Sequence, residues 1–364
     1  MYEISLFAQN DVLKNSIIIC LNSYLVLNNL DIDFPIFRSY NFGKQNLLNF
    51  GLYCEKTDNF WLFNSLKDKT LNIKFIVNPS AGHGNYKHVI HDIESVFSRS
   101  HFSYDITILS CKGEATLIAK ESADNYSAII AVGGDGTINE VLNGLIGTNA
   151  ILGIIPAGTG NGIAREFGLP LKVKEACKII LNGHTKWIDV GNAGGRYFMG
   201  CAGTGFDALI AKFAGELRGP FRGIWVYFFA GLIVFHRYKP KLVNITINSE
   251  LSLEVKPLLI AIANTKRYGG RALITPQASP DDGLFDICII KSMNMISLAF
   301  NLPKLFKGTH TNLPQVKIHK AENVFIQANE PIPFHIDGES LDSCCSIQFN
   351  IMPKAIRLFV PKEG

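Results

Sequence analysis

A chain of 364 residues is long enough for two domains with substantial cores. With 47% hydrophobic and 18% charged residues it has the composition of a globular protein slightly more apolar than average, and a net charge of +4 is too small to direct it to nucleic acid. The same charge is compatible with visits to an anionic membrane surface. The 8 cysteines are scattered, form no C-x-x-C pair and suit reduced core thiols in a cytoplasmic protein, so no structural zinc is expected. No signal peptide frames the apolar run at 17–21. The longest apolar run, 224–235, falls short of the ~20 residues a spanning helix requires.

Residues 1–72 are rich in Asn, Leu and aromatics and lack a clear period. They read either as a small element added to the body or as sequence upstream of the true start, and no function is assigned to them. The body opens with a buried-strand pattern at 73–77, followed by Asn78-Pro79-Ser80-Ala81-Gly82-His83-Gly84. Pro79 fixes φ and removes a donor, and Gly82 and Gly84 let the chain turn tightly. Val89, Ile93, Val96 and Phe97 then recur at helical spacing. The unit repeats with a strand at 104–110, a turn at Gly113, and a helix opening at Glu114-Ala115-Thr116.

The chain is organised around residues 131–162. A β-branched run, Ala128-Ile129-Ile130-Ala131-Val132, ends in Gly133-Gly134-Asp135-Gly136-Thr137, and the spacing then turns helical, with Ile138, Val141, Leu142 and Leu145 on one face and Asn139-Glu140 between them. A second strand at 151–155 runs into Gly158-Thr159-Gly160-Asn161-Gly162. Each turn aims backbone N–H groups at an open crevice, which suits a phosphate. No Walker loop occurs, and Gly158, Gly160 and Gly162 have only the spacing G-x-G-x-G. A lone glycine is an ordinary turn residue; an acid embedded between glycines, as Asp135 is, has little to pack against and is expected to face a ligand, water or metal. Strands alternating with helices over 73–170 imply a parallel sheet.

A helix through Ala176 and Ile179 stops at Asn182-Gly183. Beyond about residue 190 helices become rare and strand patterns dominate at 197–199, 242–247, 258–263, 285–290, 324–327 and 347–351. An antiparallel β sandwich or barrel is expected there. Within it, 221–238 is apolar and is flanked by Arg218, Arg222, Arg237, Lys239 and Lys241. It reads as a buried helix with solvated ends or as a wall for acyl chains with basic edges. Pro276-x-Ala278-Ser279-Pro280-Asp281-Asp282-Gly283-Leu284 puts adjacent acids in a tight, oxygen-rich loop, the donor type preferred by Mg²⁺, although Asp-Gly is equally a hairpin signal. Phe334-His335-Ile336-Asp337-Gly338-Glu339 places two acids across a glycine. In extended form both would point into one cleft. The last segment, 355–361, reads as one more apolar strand.

Taken together, GGDGT-x-NE at 133–140, GT-x-N at 158–161, N-P-x-x-G at 78–82, the D-x-G turn at Asp189 and Gly191, the patch Gly203-x-Gly205-Phe206-Asp207, DDG at 281–283 and DGE at 337–339 resemble the diacylglycerol kinase catalytic-domain family of lipid kinases. That family includes bacterial soluble diacylglycerol kinases and the sphingosine and ceramide kinases. The resemblance covers about 73–361. It implies an α/β protein with a Rossmann-like parallel-sheet nucleotide lobe (73–189, joined by 352–362), an antiparallel β-sandwich lobe (190–351), and the active site in the cleft between them. It also implies ATP as co-substrate and Mg²⁺, with a lipid hydroxyl at a membrane surface as acceptor, diacylglycerol first and a sphingoid base, ceramide or phosphatidylglycerol next. A cytoplasmic, peripheral protein that admits a homodimer follows from the same resemblance.

Carried over residue by residue, the nucleotide contacts would be Asn78, Pro79, Ser80, Ala81, Gly82, Gly134, Gly136, Thr137, Asn139, Glu140, Gly158, Thr159 and Asn161. Asp135 would help to place Mg²⁺ or the γ-phosphate, and Glu339 or Asp337 would serve as base toward the lipid hydroxyl. Asp282 would bind Mg²⁺ with backbone oxygens of Ser279 and Leu284. One departure stands out: many members carry an acid where this chain has Gly162. The rival readings are an NAD kinase, which shares the GGDGT turn but not the adjacent DDG and DGE motifs, and a non-catalytic lipid-binding relative, which would be expected to have lost an acid.

Overall fold

The computed structural model describes residues 72–216, 234, 238–268 and 272–362. The expectations for the first seventy-one residues and for most of the apolar stretch at 221–238 therefore lie outside the described residues. Every described residue falls in one unit, Thr70–Gly364.

Strands β1 (Asn72–Val77), β2 (Ser103–Ile108), β3 (Ala128–Gly133) and β4 (Ile151–Pro156) form a parallel sheet in the order β2-β1-β3-β4. All six residues of β3 and all six of β4 are buried. Successive side chains of a strand point to opposite faces, so burial at every position means that both faces are covered. The covering helices are α1 (Tyr86–Phe97), α2 (Glu114–Ser122), α3 (Asp135–Leu145), the short α4 (Gly162–Glu166) and α5 (Val173–Asn182). α1 packs against α5, and α2 against α3. Gly144 permits the second contact, because a Cβ there would lie 2.4 Å from the Thr116 carbonyl oxygen.

The antiparallel half contains β5 (Thr185–Ala193), β6 (Arg196–Phe198), β7 (Cys201–Gly205), β8 (Val243–Ile247), β9 (Leu251–Val255), β10 (Pro257–Ala263), β13 (Phe285–Lys291), β14 (Val316–Ala321), β15 (Asn323–Ile336) and β16 (Glu339–Phe359), with a small ribbon of β11 (Arg267–Tyr268) and β12 (Ala272–Leu273) apart from it. Its core holds Phe198, Phe285, Phe334 and Phe349; the rings of Phe198 and Phe285 stack 5.7 Å apart. Gly191 lies directly under the Phe198 ring, and a Cβ there would approach it to 2.2 Å.

β16 joins the two halves. Its first part pairs with β15, and its last part pairs with β5 while Leu358 meets Leu152 of β4 in parallel register. Residues 355–361, expected as a separate strand, are thus largely the end of β16. The position near 190 where strands begin to dominate falls inside β5, which runs unbroken through it. β15 is also longer than the pattern at 324–327 suggested. Asn329-Glu330-Pro331 interrupts the apolar alternation, and the strand absorbs the interruption as register shifts between Gln327 and Phe334.

Among the described residues, α6 (Phe206–Glu216) and α7 (Met295–Lys307) interrupt the strand-rich half. α7 was not anticipated from the sequence.

Candidate active site

Three backbone turns meet at the carboxyl ends of β1, β3 and β4, and hydrogen bonds knit them together. Asn78 N–H donates to Val132 O at 3.0 Å, Ala157 N–H to Gly133 O at 2.8 Å, and Gly82 N–H to Ala157 O at 2.8 Å. The two glycine turns touch backbone to backbone: a Cβ on Gly158 would lie 2.4 Å from the Gly134 Cα. That contact, more than any positive φ, is why both turns require glycine. Gly158→Ala is accordingly expected to force the turns apart, costing about 1–3 kcal/mol by overpacking. A lower melting temperature together with a raised KM for ATP would be the signature, and an unchanged melt would contradict the packing argument.

Within this cradle the polar side chains shape the loops more than they face outward. Asn78 donates to Thr137 Oγ1 at 2.9 Å and accepts from Ser80 N–H at 2.9 Å. Asn161, at φ 52°, bonds Gly158 through both its amide nitrogen and its oxygen. Ala81 and Thr137 are buried, and the Glu140 carbonyl accepts the Thr116 hydroxyl at 2.9 Å. Pro79, Ser80, Gly136 and Thr159 form the exposed rim. α3 begins at Asp135 with Gly134 as its N-cap and no side chain capping it, so its first-turn N–H groups are oriented to receive an anion.

Asp135 is not the free acid that its glycine neighbours suggested. Its Oδ2 accepts the Gly162 N–H at 2.9 Å and its Oδ1 accepts the Ile163 N–H at 3.0 Å, capping α4 from the opposite turn. Each oxygen keeps one lone pair for a further partner. Gly162 thus contributes its backbone N–H to the site.

The DGE segment is not extended either. Asp337 and Gly338, at φ 48° and 82°, form the two-residue turn between β15 and β16. The expectation that both acids point into one cleft is therefore replaced by a division of tasks. Asp337 turns inward. Its Oδ1 accepts the N–H groups of Gly200 and Cys201, both at 3.0 Å, and its Oδ2 accepts Met199 N–H at 3.2 Å and Asn139 Nδ2 at 2.9 Å. Burial pushes this carboxyl above the usual range, and the nearby Asp135 charge adds to the push. The Asn139 amide and the backbone donors oppose it. Asn139 also donates to Tyr197 O at 3.0 Å, so α3 is bonded to the hairpin and to β6 through one amide group.

Glu339 turns outward. Its half-exposed carboxylate forms an ion pair with Lys112, which precedes α2. Lys112 was not singled out in the sequence. Its place one residue before the Gly113-Glu114-Ala115 turn was the available signal.

The DDG loop lies against β5. Asp189, fully buried, accepts Gly283 N–H and Lys354 N–H, each at 2.7 Å, and burial raises its carboxyl above the usual range against those two donors. Lys354, at φ 50°, sits in the register shift between Met352 and Ile356 in the pairing of β16 with β5. Asp282 accepts Leu284 N–H at 3.1 Å and pairs with Lys320 at 2.6 Å, while Asp281 pairs with Lys186 at 2.8 Å. Asp286 Oδ2 is buried without a hydrogen bond, 3.3 Å from the Lys320 ammonium. Three carboxylates, Asp281, Asp282 and Asp286, face the ammonium groups of Lys186 and Lys320, an oxygen-rich set of the donor type that hard divalent cations prefer. The Lys320 ammonium competes for the same oxygens.

A further buried network was not read from the sequence as a unit. His335 Nε2 lies 2.9 Å from Asp207 Oδ2 and 2.8 Å from the Tyr268 hydroxyl. Gly203 makes room for it, since a Cβ there would meet His335 Nε2 at 3.1 Å.

Comparison with known proteins bears on this geometry. Residues 72–193 match the diacylglycerol kinase catalytic domain, and 200–360 match the YegS C-terminal NAD kinase beta sandwich-like domain. A diacylglycerol kinase of Mycobacterium tuberculosis is 33% identical over 301 residues, which is 79% of this chain and 95% of that protein. A diacylglycerol kinase of Bacillus subtilis is 30% identical over 295 residues, 80% of this chain and 96% of that protein. A solved structure from Bacillus anthracis str. Sterne superposes with a TM-score of 0.69 at 27% identity, covering 81% of this chain and 99% of that one.

Proposed function

The chain belongs to the diacylglycerol kinase family and is an ATP-dependent lipid kinase, and on that premise we propose that it transfers the γ-phosphate of ATP to the free hydroxyl of diacylglycerol, giving phosphatidic acid. The observation that carries the reading is the 2.9 Å bond from Asn139 to Asp337, which ties the helix after the glycine turn to the hairpin bearing Glu339. Phosphate grip and acceptor base thereby share one rigid connection.

In this mechanism the turns at 78–82, 134–140 and 158–161 hold the triphosphate, chiefly through backbone N–H groups at the start of α3. Glu339 removes the proton from the lipid hydroxyl as its oxygen attacks the γ-phosphorus. The bond to the bridging oxygen breaks and ADP leaves. Lys112 holds the Glu339 side chain in an ion pair before the acceptor arrives. Asp337 touches neither substrate and positions the hairpin. The free lone pairs of Asp135 would hold Mg²⁺ beside the γ-phosphate, and the ion would offset the phosphate charge. A second Mg²⁺ would be held by Asp282 with the backbone oxygens of Ser279 and Leu284, closing the DDG loop on Asp189.

The same reading divides the chain into a nucleotide lobe of 73–189 joined by 352–362 and an acceptor lobe of 190–351. The pairing of Leu358 with Leu152 supports the return of the chain end. Among the described residues no helix is long and apolar enough to cross a membrane. The proposed access to the lipid is peripheral, from the cytoplasmic side.

Incubation with γ-labelled ATP and separate samples of diacylglycerol, sphingoid base, ceramide, phosphatidylglycerol and NAD tests the proposal. Label is expected in phosphatidic acid; label in NADP alone would overturn it. For the loop metal, adding Mg²⁺ at a hundred times its Kd is expected to stabilise the protein by about 2.7 kcal/mol. Asp282→Asn is expected to abolish that increment in thermal melts, and an equal increment in the variant would remove Asp282 as a ligand.

A further inference from the structure

α7 (Met295–Lys307) is a well-formed helix whose outward face is apolar. Asn294 caps its start by accepting Ser297 N–H at 2.8 Å, and Gly308 closes its end at φ 71°. Leu298 and Leu305 pack on the core that contains Ile274, Cys288 and Ile290. On the rest of its surface Ile296 is 70% exposed, Phe300 79%, Leu302 41% and Phe306 42%. A surface helix ordinarily presents polar residues there, and clustered apolar exposure of this kind marks an interaction site. Its sequence, MISLAFNLPKLFK, contains no acid and ends with Lys304 and Lys307. Among the described residues neither lysine is in an ion pair.

We propose that the outward face of α7 is the surface by which this enzyme docks on an anionic lipid bilayer, with Ile296, Phe300 and Phe306 entering the headgroup–acyl boundary and Lys304 and Lys307 meeting lipid phosphates. Exposed aromatic and aliphatic side chains beside unpaired lysines, without a single acid, are the chemistry of an interfacial helix. A second copy of the same face would bring no carboxylate to the lysines, whereas an anionic leaflet supplies phosphates along the whole surface. The inference rests on the reading of the acceptor as a membrane lipid, and it names the element that carries the enzyme to it. α7 shares its core with Phe206, the first residue of α6, so docking is mechanically continuous with the acceptor half of the protein.

The test is co-sedimentation of the full chain with vesicles of equal parts phosphatidylcholine and phosphatidylglycerol, and with phosphatidylcholine alone. Kinase activity is measured in parallel on vesicle-borne diacylglycerol and on a short-chain diacylglycerol dissolved as monomer. The wild type is expected to bind the mixed vesicles more tightly than the neutral ones. The double variant Ile296→Asp with Phe300→Asp is expected to bind the mixed vesicles at least about tenfold more weakly, because it replaces buried apolar area with charge. It should lose activity on vesicles in proportion while keeping turnover of the monomeric substrate. Lys304→Glu with Lys307→Glu should remove only the preference for anionic vesicles. Equal vesicle binding by the wild type and the aspartate variant overturns the proposal. So does a wild-type dimer that this variant converts to monomer with vesicle binding unchanged, since the face would then be covered by a second copy. If the wild type phosphorylates neither form of diacylglycerol, the acceptor reading falls, while the vesicle comparison still decides the docking surface.

Discussion

Glu339→Gln is expected to lower kcat by about 10²–10⁴-fold, the usual worth of a positioned general base. Glutamine keeps the size and the hairpin position of the side chain but cannot take the proton of the attacking hydroxyl. The KM for ATP should stay near the wild-type value, because the three glycine-rich turns and the α3 N-terminus are untouched. The melting temperature should also hold, since among the described residues the partner lost is Lys112, in an exposed pair of small energetic weight. Steady-state kinetics with a melt on the same preparation decides the matter. A kcat within a factor of two or so of wild type would remove Glu339 as the base, because a group active in the transition state cannot be lost silently.

Asp337→Ala should do the reverse and damage the structure first. It strips the acceptor from Met199, Gly200 and Cys201 N–H and from the Asn139 amide. Leaving such donors buried and unpaired costs about 1–3 kcal/mol each, with strong non-additivity, so a loss on the order of 3–5 kcal/mol is expected. For a body of this size that corresponds to roughly 10 °C in Tm. Asp337 also stands at φ 48°, where alanine is strained and asparagine is tolerated. Asp337→Asn therefore isolates the carboxylate from the backbone: it should be destabilised less than the alanine variant by about 1 kcal/mol and still melt below wild type. An alanine variant that melts with the wild type would mean that the hairpin holds itself without this carboxylate.

Much of the local geometry of the candidate site was legible before any fold was known. Gly134, Asp135, Gly158 and Asn161 were legible because strand, glycine turn and helix start follow one another within a few residues, and local sequence order alone specifies that geometry. The parallel sheet was legible for the same reason: β3 and β4 are short, wholly apolar and separated by one helix. The roles of the acids were harder. Asp135 reads as free because the residues beside it are glycines, yet its partners are the N–H groups of Gly162 and Ile163, brought to it only when two strands lie side by side. Asp337 and Glu339 read as equivalent, and the positive φ of a two-residue turn sends one inward and the other out.

Local pattern by itself determined that the chain has a parallel α/β half with glycine-framed turns at its strand ends, a strand-rich half after it, and acids in each. These follow from periodicity and turn chemistry, which act over a few residues. Only the tertiary structure decided that β16 runs through both halves, that Asn139 holds Asp337 across 198 positions of sequence, that Lys112 meets Glu339, and that α7 turns an apolar face outward. Strand register, burial and pairing of distant charges depend on which surfaces the folded chain brings together, and no short stretch of sequence contains that information.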